Sequence, residues 1–215
     1  MSLVLFAGPS LCGFDEGDLP YDVELRPPAR RGSFDRLSVE SGPDVAIALA
    51  DGFFQSVPAV GHHEIIEVLR SGRQVWGLCS IGAIRAAELD HLGMMGFGEI
   101  YESFRCNPEQ PDDVVALLHD PEWPWRPVSE PLVHLSRASS HLVEIGLIDQ
   151  LVADAVIASL KNRWFGERTI GEFLKLLENR IGRSVGSRSA IDHFDDFRTK
   201  HHDLVRFLDE APWRV

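Results

Sequence analysis

The chain has few cysteines, no long apolar run and a shortage of positive charge, and each scarcity closes off a class of protein. Cys12, Cys79 and Cys106 stand at unrelated spacings, which suits neither a disulfide framework nor a zinc site. No stretch is long and apolar enough to cross a bilayer, and the opening MSLVLFAG is too short for a secretory signal. The expected compartment is therefore the cytoplasm, with no membrane partner. Only 21 basic residues face 33 acidic ones, and the formal charge of -12 argues against nucleic acid as a partner. Repeats, low-complexity segments, the GxxxxGK[ST] phosphate loop and the dinucleotide G-x-G-x-x-G signature are all missing. Neither a metal nor a resident cofactor is expected.

What is present suits a packed α/β body. With 215 residues, 44% of them hydrophobic, the chain can bury a substantial core without staples. Four apolar segments bounded by turn residues, 3–7, 45–50, 74–78 and 114–118, predict buried parallel strands. Between the second and third, PAVGHHEIIEVLRSG sets Val60, Ile65, Ile66 and Leu69 on one face of a helix ending near Gly72, giving a strand-helix-strand unit. From Ser129 onward the text is helical. Thr169 and Glu172 have capping-box spacing, and Gly146, Gly166 and Gly182 are expected stops. The expected architecture is α/β: a Rossmann-like open parallel sheet with flanking helices over residues 1–128, then a helical C-terminal region, 129–215, packed on that core or on a partner.

QVWGLCSIGAIRAAEL, residues 74–89, reads as a strand, a Ser at the turn and a closely packing helix. Ser80 stands where an N-cap belongs, and a hydroxyl there meets the positive end of the helix. A strand-to-helix elbow is also where several acyl-transfer enzymes expose a nucleophile. Neither Ser80 nor Cys79 completes G-x-S-x-G, so helix cap and nucleophile both stand as readings of Ser80. In an open parallel sheet the ligand crevice lies beyond the carboxyl ends of the strands. The residues there are Gly8-Pro9-Ser10, Asp51-Gly52, Ser80 and His119-Asp120, which supply a hydroxyl, a carboxylate and an imidazole. His62, His63 and Glu64 form a second cluster on the crossover helix. It is not an HExxH zinc motif, because adjacent histidines cannot face one ion from a regular helix. RPPARRG makes Arg26, Arg30 and Arg31 a basic, semi-rigid loop suited, beside a cleft, to a phosphate or an acidic partner surface.

Taken in order, VLFAGPSL, PPARRG, DGFFQSVPAVGHHEI, CSIGAIRAAELDHLGMMGFGEIYESF, DDVVALLHDP and RPVSEPLV resemble the TfuA-like proteins over roughly residues 3 to 150. The resemblance implies partnership with a YcaO-type enzyme, which activates a backbone amide with ATP while the pair replaces its oxygen by sulfur. It marks Ser10, Asp51, His62, Glu64, Ser80, Arg85, Glu88, His119, Arg126, Ser129 and Glu130 as family-type positions. The function implied is sulfide delivery from a donor such as a thiocarboxylated ThiS-like carrier. Ser80 would be the nucleophile, His119 or His62 the base and Asp51 its orienter, with the peptide or protein substrate engaged through the complex. The alternative is a non-catalytic docking or allosteric partner that recruits the peptide; there Arg85 and Glu88 hold the helix in place, and Arg30 and Arg31 contact a partner.

Overall fold

Apolar runs bounded by turns become the centre of the sheet. In the computed structural model, which describes residues 1–14, 16–40, 42, 44–53, 57–182 and 191–214, five parallel strands pair in the order β2-β1-β3-β4-β5. They are β1 (Ser2–Phe6), β2 (Val23–Arg26), β3 (Val45–Leu49), β4 (Val75–Gly77) and β5 (Met95–Gly96). Eight helices accompany them among the described residues: α1 (Ser33–Glu40), α2 (His62–Arg70), α3 (Ile81–Leu89), α4 (Glu99–Cys106), α5 (Leu132–Glu144), α6 (Gln150–Lys161), α7 (Ile170–Ile181) and α8 (Thr199–Glu210). The architecture is the expected Rossmann-like α/β sheet. One strand assignment fails: Asp112–Val114 is a 3-10 turn, and beyond it residues 114–118 join no sheet. Val114, Val115 and Ala116 are buried there without strand pairing.

By contact density the chain forms two compact units. The sheet unit comprises Met1–Gln110, Glu122–Trp125 and Lys200–Val215; the helical unit comprises Pro111–Pro121 and Arg126–Thr199. In the sheet unit, alternation sends Leu3 and Leu5 of β1, with Ala46 and Ala48 of β3 opposite them, to one face. There they share a buried cluster with Leu204, Phe207 and Leu208 of α8 and with Trp213. The alanines leave room for the large rings. On the other face Phe6 stacks on Phe34 of α1, with ring centroids 5.6 Å apart. Among the described residues the β1–β2 crossover carries only 3-10 turns, Pro9–Leu11 and Glu16–Asp18. The cover of the β1/β3 face therefore comes from α8, far along the chain.

In the helical unit, Thr169 Oγ1 accepts the Glu172 amide at 3.1 Å, the first half of the capping box. The Glu172 carboxylate instead pairs with Arg163 at 2.8 Å. Gly146 and Gly182 are left-handed just beyond α5 and at the end of α7, as stops should be. Gly166 stops no helix; it lies in a 3-10 turn after α6 has already ended at Lys161.

Candidate functional site at the carboxyl edge of the sheet

The chain winds outward in one direction from β1 to β2 and in the other from β3 to β5. A parallel sheet opens a crevice at such a reversal, beyond the carboxyl ends of the two strands that flank it. Here those strands are β1 and β3, and the residues beyond them are Ser10 and Asp51. The structure brings the two together. Asp51 accepts the Gly8 and Ser10 amides on Oδ2, both at 2.9 Å, and the Ser10 hydroxyl on Oδ1 at 2.8 Å. Lys200 Nζ of α8 reaches the same Oδ1 at 3.3 Å, and both side chains are almost wholly buried. Burial alone would raise the Asp51 carboxyl. The Lys200 charge, the Ser10 and Gly8 amides and the Ser10 hydroxyl together outweigh it and hold the group below the usual range. Asp51 is thus a closed, ionised anchor, and the crevice is filled by the chain's own lysine.

The next strand end forms a tight elbow. Cys79 takes a φ of 63°, unusual for a residue with a Cβ, and the chain turns there from β4 into α3. Glycine makes the turn possible on both sides. A Cβ on Gly82 would lie 1.6 Å from the Leu49 carbonyl oxygen, and one on Gly77 would lie 2.1 Å from that of Gly82. The Cys79 thiol donates to the Lys200 carbonyl at 3.1 Å. Burial pushes that thiol well above its ordinary value, Asp203 and Asp51 push it further, and Lys200 and Ser10 oppose only part of the rise. Cys79 is therefore a neutral donor. Ser80 occupies the N-cap position of α3, is 3% exposed, and its hydroxyl caps no amide. The Gly82 and Ala83 amides are taken by the Ala50 and Leu78 carbonyls. In this first turn, among the described residues, the Ile81 N–H is left without a backbone acceptor.

The histidines stand elsewhere. His62 Nε2 lies 2.7 Å from Glu88 Oε2, and Arg85 Nη1 donates to the same oxygen at 2.6 Å while its Nε donates to the Val60 carbonyl. These three side chains tie α2 to α3. Glu88 sits about 12 Å along the helix axis from Ser80, several hydrogen-bond lengths away. The carboxylate that holds His62 is thus Glu88, not Asp51. His119 belongs to the helical unit, where its Nδ1 lies 2.6 Å from the Asp120 carbonyl oxygen; the strand expected to present it at the sheet edge is absent. Glu64 is a double cap. Its carboxylate accepts the Gly61 amide at 2.7 Å at the start of α2, and the Gly32 and Phe34 amides at 3.0 and 3.2 Å at the start of α1.

Three more expected positions lie in the helical unit. The Ser129 hydroxyl accepts the Leu118 amide at 2.8 Å. Buried Glu130 accepts from His134 at 2.9 Å and from Arg198 at 2.6 Å; burial would raise its carboxyl, but these bonds hold it low. Arg126 is exposed. Arg30 lines a cavity together with Arg26 and Arg36, whereas Arg31 is exposed outside that lining. Among the described residues no cluster of three His, Cys, Asp or Glu groups is arranged to hold a metal, and no helix is long and apolar enough to cross a membrane.

Two residues escaped the sequence reading, Lys200 and Asp203. Asp203 accepts the Glu99 and Ile100 amides at 2.9 and 3.1 Å, capping α4 from α8. Burial pushes its carboxyl up despite those bonds. The signal in the sequence is slight: a Lys and an Asp three positions apart in an amphipathic helix read as surface charge.

A family model described as TfuA-like protein matches residues 51–169, more than half of the chain. The match begins at Asp51 and takes in the elbow. No curated protein matches.

Proposed function

The chain belongs to the TfuA-like family, and from that premise we propose that it supplies sulfide in YcaO-dependent backbone thioamidation. One observation supports the catalytic form of this reading above the others: a strand-to-helix elbow that holds Ser80 at the sheet's carboxyl edge with its hydroxyl unspent on capping. In this reading the donor is a thiocarboxylate, such as the C-terminus of a ThiS-like carrier. Ser80 Oγ attacks the carbonyl carbon, the C–S bond breaks, and the hydroxyl proton leaves on sulfur as HS⁻. Water then cleaves the acyl-serine, releasing a carboxylate and restoring the hydroxyl. The Ile81 amide, which has no backbone acceptor among the described residues, would donate to the oxyanion in this reading. Release inside a complex with the YcaO-type enzyme raises the local concentration of sulfide at the activated amide of the peptide or protein substrate.

A second reading, a non-catalytic docking or allosteric partner, is favoured by a different observation. His62 and Asp51 are both committed to other partners, Glu88 and Lys200, so the expected histidine-carboxylate pair is not assembled around Ser80.

Sulfide release from a thiocarboxylated carrier separates the two. The catalytic reading expects Ser80→Ala to lose roughly a thousandfold or more in release. Its stability should change by about 1 kcal/mol or less, and binding to the YcaO-type enzyme should be unchanged. His119→Ala, measured alongside, tests the remaining histidine. Wild-type protein that releases nothing, alone or with the enzyme, would transfer the function to docking.

A further inference from the structure

We propose that the cavity at the carboxyl ends of β1 and β2 binds a phosphate monoester, with the dianion on Arg30 and Arg36 and its apolar body against Phe6, Phe53 and Pro28. The site is separate from the chemistry at Ser80 and does not depend on it. The cavity holds about 310 Å³ and has nine lining residues. That volume is at the small end of ligand pockets, room for one ring and a headgroup. Three of the nine are arginines and none is acidic, in a chain where acidic residues outnumber basic ones 33 to 21. Charge of one sign is therefore concentrated against the trend of the molecule.

The arginines are differently committed. Arg26 Nε lies 2.6 Å from Glu24 Oε1, two residues earlier on the same strand. Arg36 spends its Nε on the Gly32 carbonyl at 3.3 Å, leaving its terminal nitrogens to face a ligand. Among the described residues the Arg30 guanidinium has no ion pair or hydrogen bond. The Glu64 carboxylate already takes the Gly32 and Phe34 amides at the start of α1, so the anion would be held by side-chain forks rather than by the helix end. A dianion answers two such forks better than a single carboxylate charge does. The walls suit an apolar body and are stiff: Phe6 stacks on Phe34, and Pro28 packs against Gly8, where a Cβ would come within 2.4 Å of its ring. The Ala29 amide on the Asp51 carbonyl, at 2.9 Å, pins this wall to the filled crevice.

Calorimetric titration of the full chain with phenyl phosphate, inorganic phosphate and benzoate tests the assignment. Phenyl phosphate is expected to bind at least about tenfold tighter than either of the others. Arg30→Gln and Arg36→Gln should each weaken it about tenfold or more while circular dichroism stays unchanged. Arg70→Gln, the same charge change on the exposed end of α2, should alter it less than about twofold. Equal losses in all three variants would overturn the proposal in favour of diffuse surface charge. Equal affinity for inorganic phosphate would remove the apolar walls from the site, equal affinity for benzoate would remove the preference for a dianion, and no binding of phenyl phosphate would end it.

Discussion

Replacing Lys200 with Met is expected to destabilise the protein by roughly 3–5 kcal/mol in urea unfolding, the cost of leaving a buried charge without its partner. The charge left behind is Asp51, which is 2% exposed. Asp51→Asn combined with Lys200→Met should recover part of the loss, because the amide can still accept from Gly8 and Ser10 without carrying a charge. The dependence on pH has a definite sign. The folded Asp51 carboxyl titrates below its ordinary value, so its contribution is complete above the unfolded pKa of about 3.9 and fades as pH falls through the lower folded value. In Lys200→Met the carboxyl can protonate more readily, so the penalty of the substitution should shrink on acidification. A loss below about 1 kcal/mol at neutral pH would mean that water enters the cluster, and Asp51 would then be available as a base after all.

Gly82→Ala is expected to abolish the folded state or cost more than about 4 kcal/mol, because the new methyl would meet backbone and not a side chain that can rotate away. The Leu49 carbonyl oxygen and carbon stand 1.6 and 2.5 Å from that position. Relief requires α3 to withdraw from β3, and withdrawal takes Ser80 with it. Soluble yield and near-ultraviolet circular dichroism would report the failure. Gly72→Ala is the comparison. It has a φ of 84° but open space around the added carbon, so only backbone strain of roughly 1 kcal/mol should appear. If both substitutions behave alike, the close approach of α3 to β3 is not what the glycine serves.

The central strands were legible because burial on both faces writes itself as an unbroken apolar run: LVLFA, VAIALA and VWGL. The edge strands were not. Val23–Arg26 reads VELR, half charged, and Met95–Gly96 is only two residues long. Residues 114–118 show the converse error, since VVALL is as apolar as a strand but follows a pair of aspartates that start a 3-10 turn, and a short apolar run carries no period to tell these apart. At the site, the rule that ligands gather beyond strand ends found Ser10, Asp51 and Ser80. It could not find Lys200 or Asp203, because their helix faces the sheet through a surface that composition alone assigns to solvent. The pairing of His62 with Glu88, 26 residues apart, depends on how α2 lies against α3, and no local pattern encodes that.

The attachment of α8 also sets an order of events during synthesis. Cys79 and Lys200 are separated by 121 residues. At about 5–20 residues per second a ribosome takes roughly 6–24 s to make that interval. Throughout it the alanine-lined face of β3 and the carboxylate of Asp51 exist without the helix that covers one and neutralises the other. A nascent chain paused in this window presents an apolar sheet face to its surroundings, and the helical unit made in between must emerge before the first strands can be sealed.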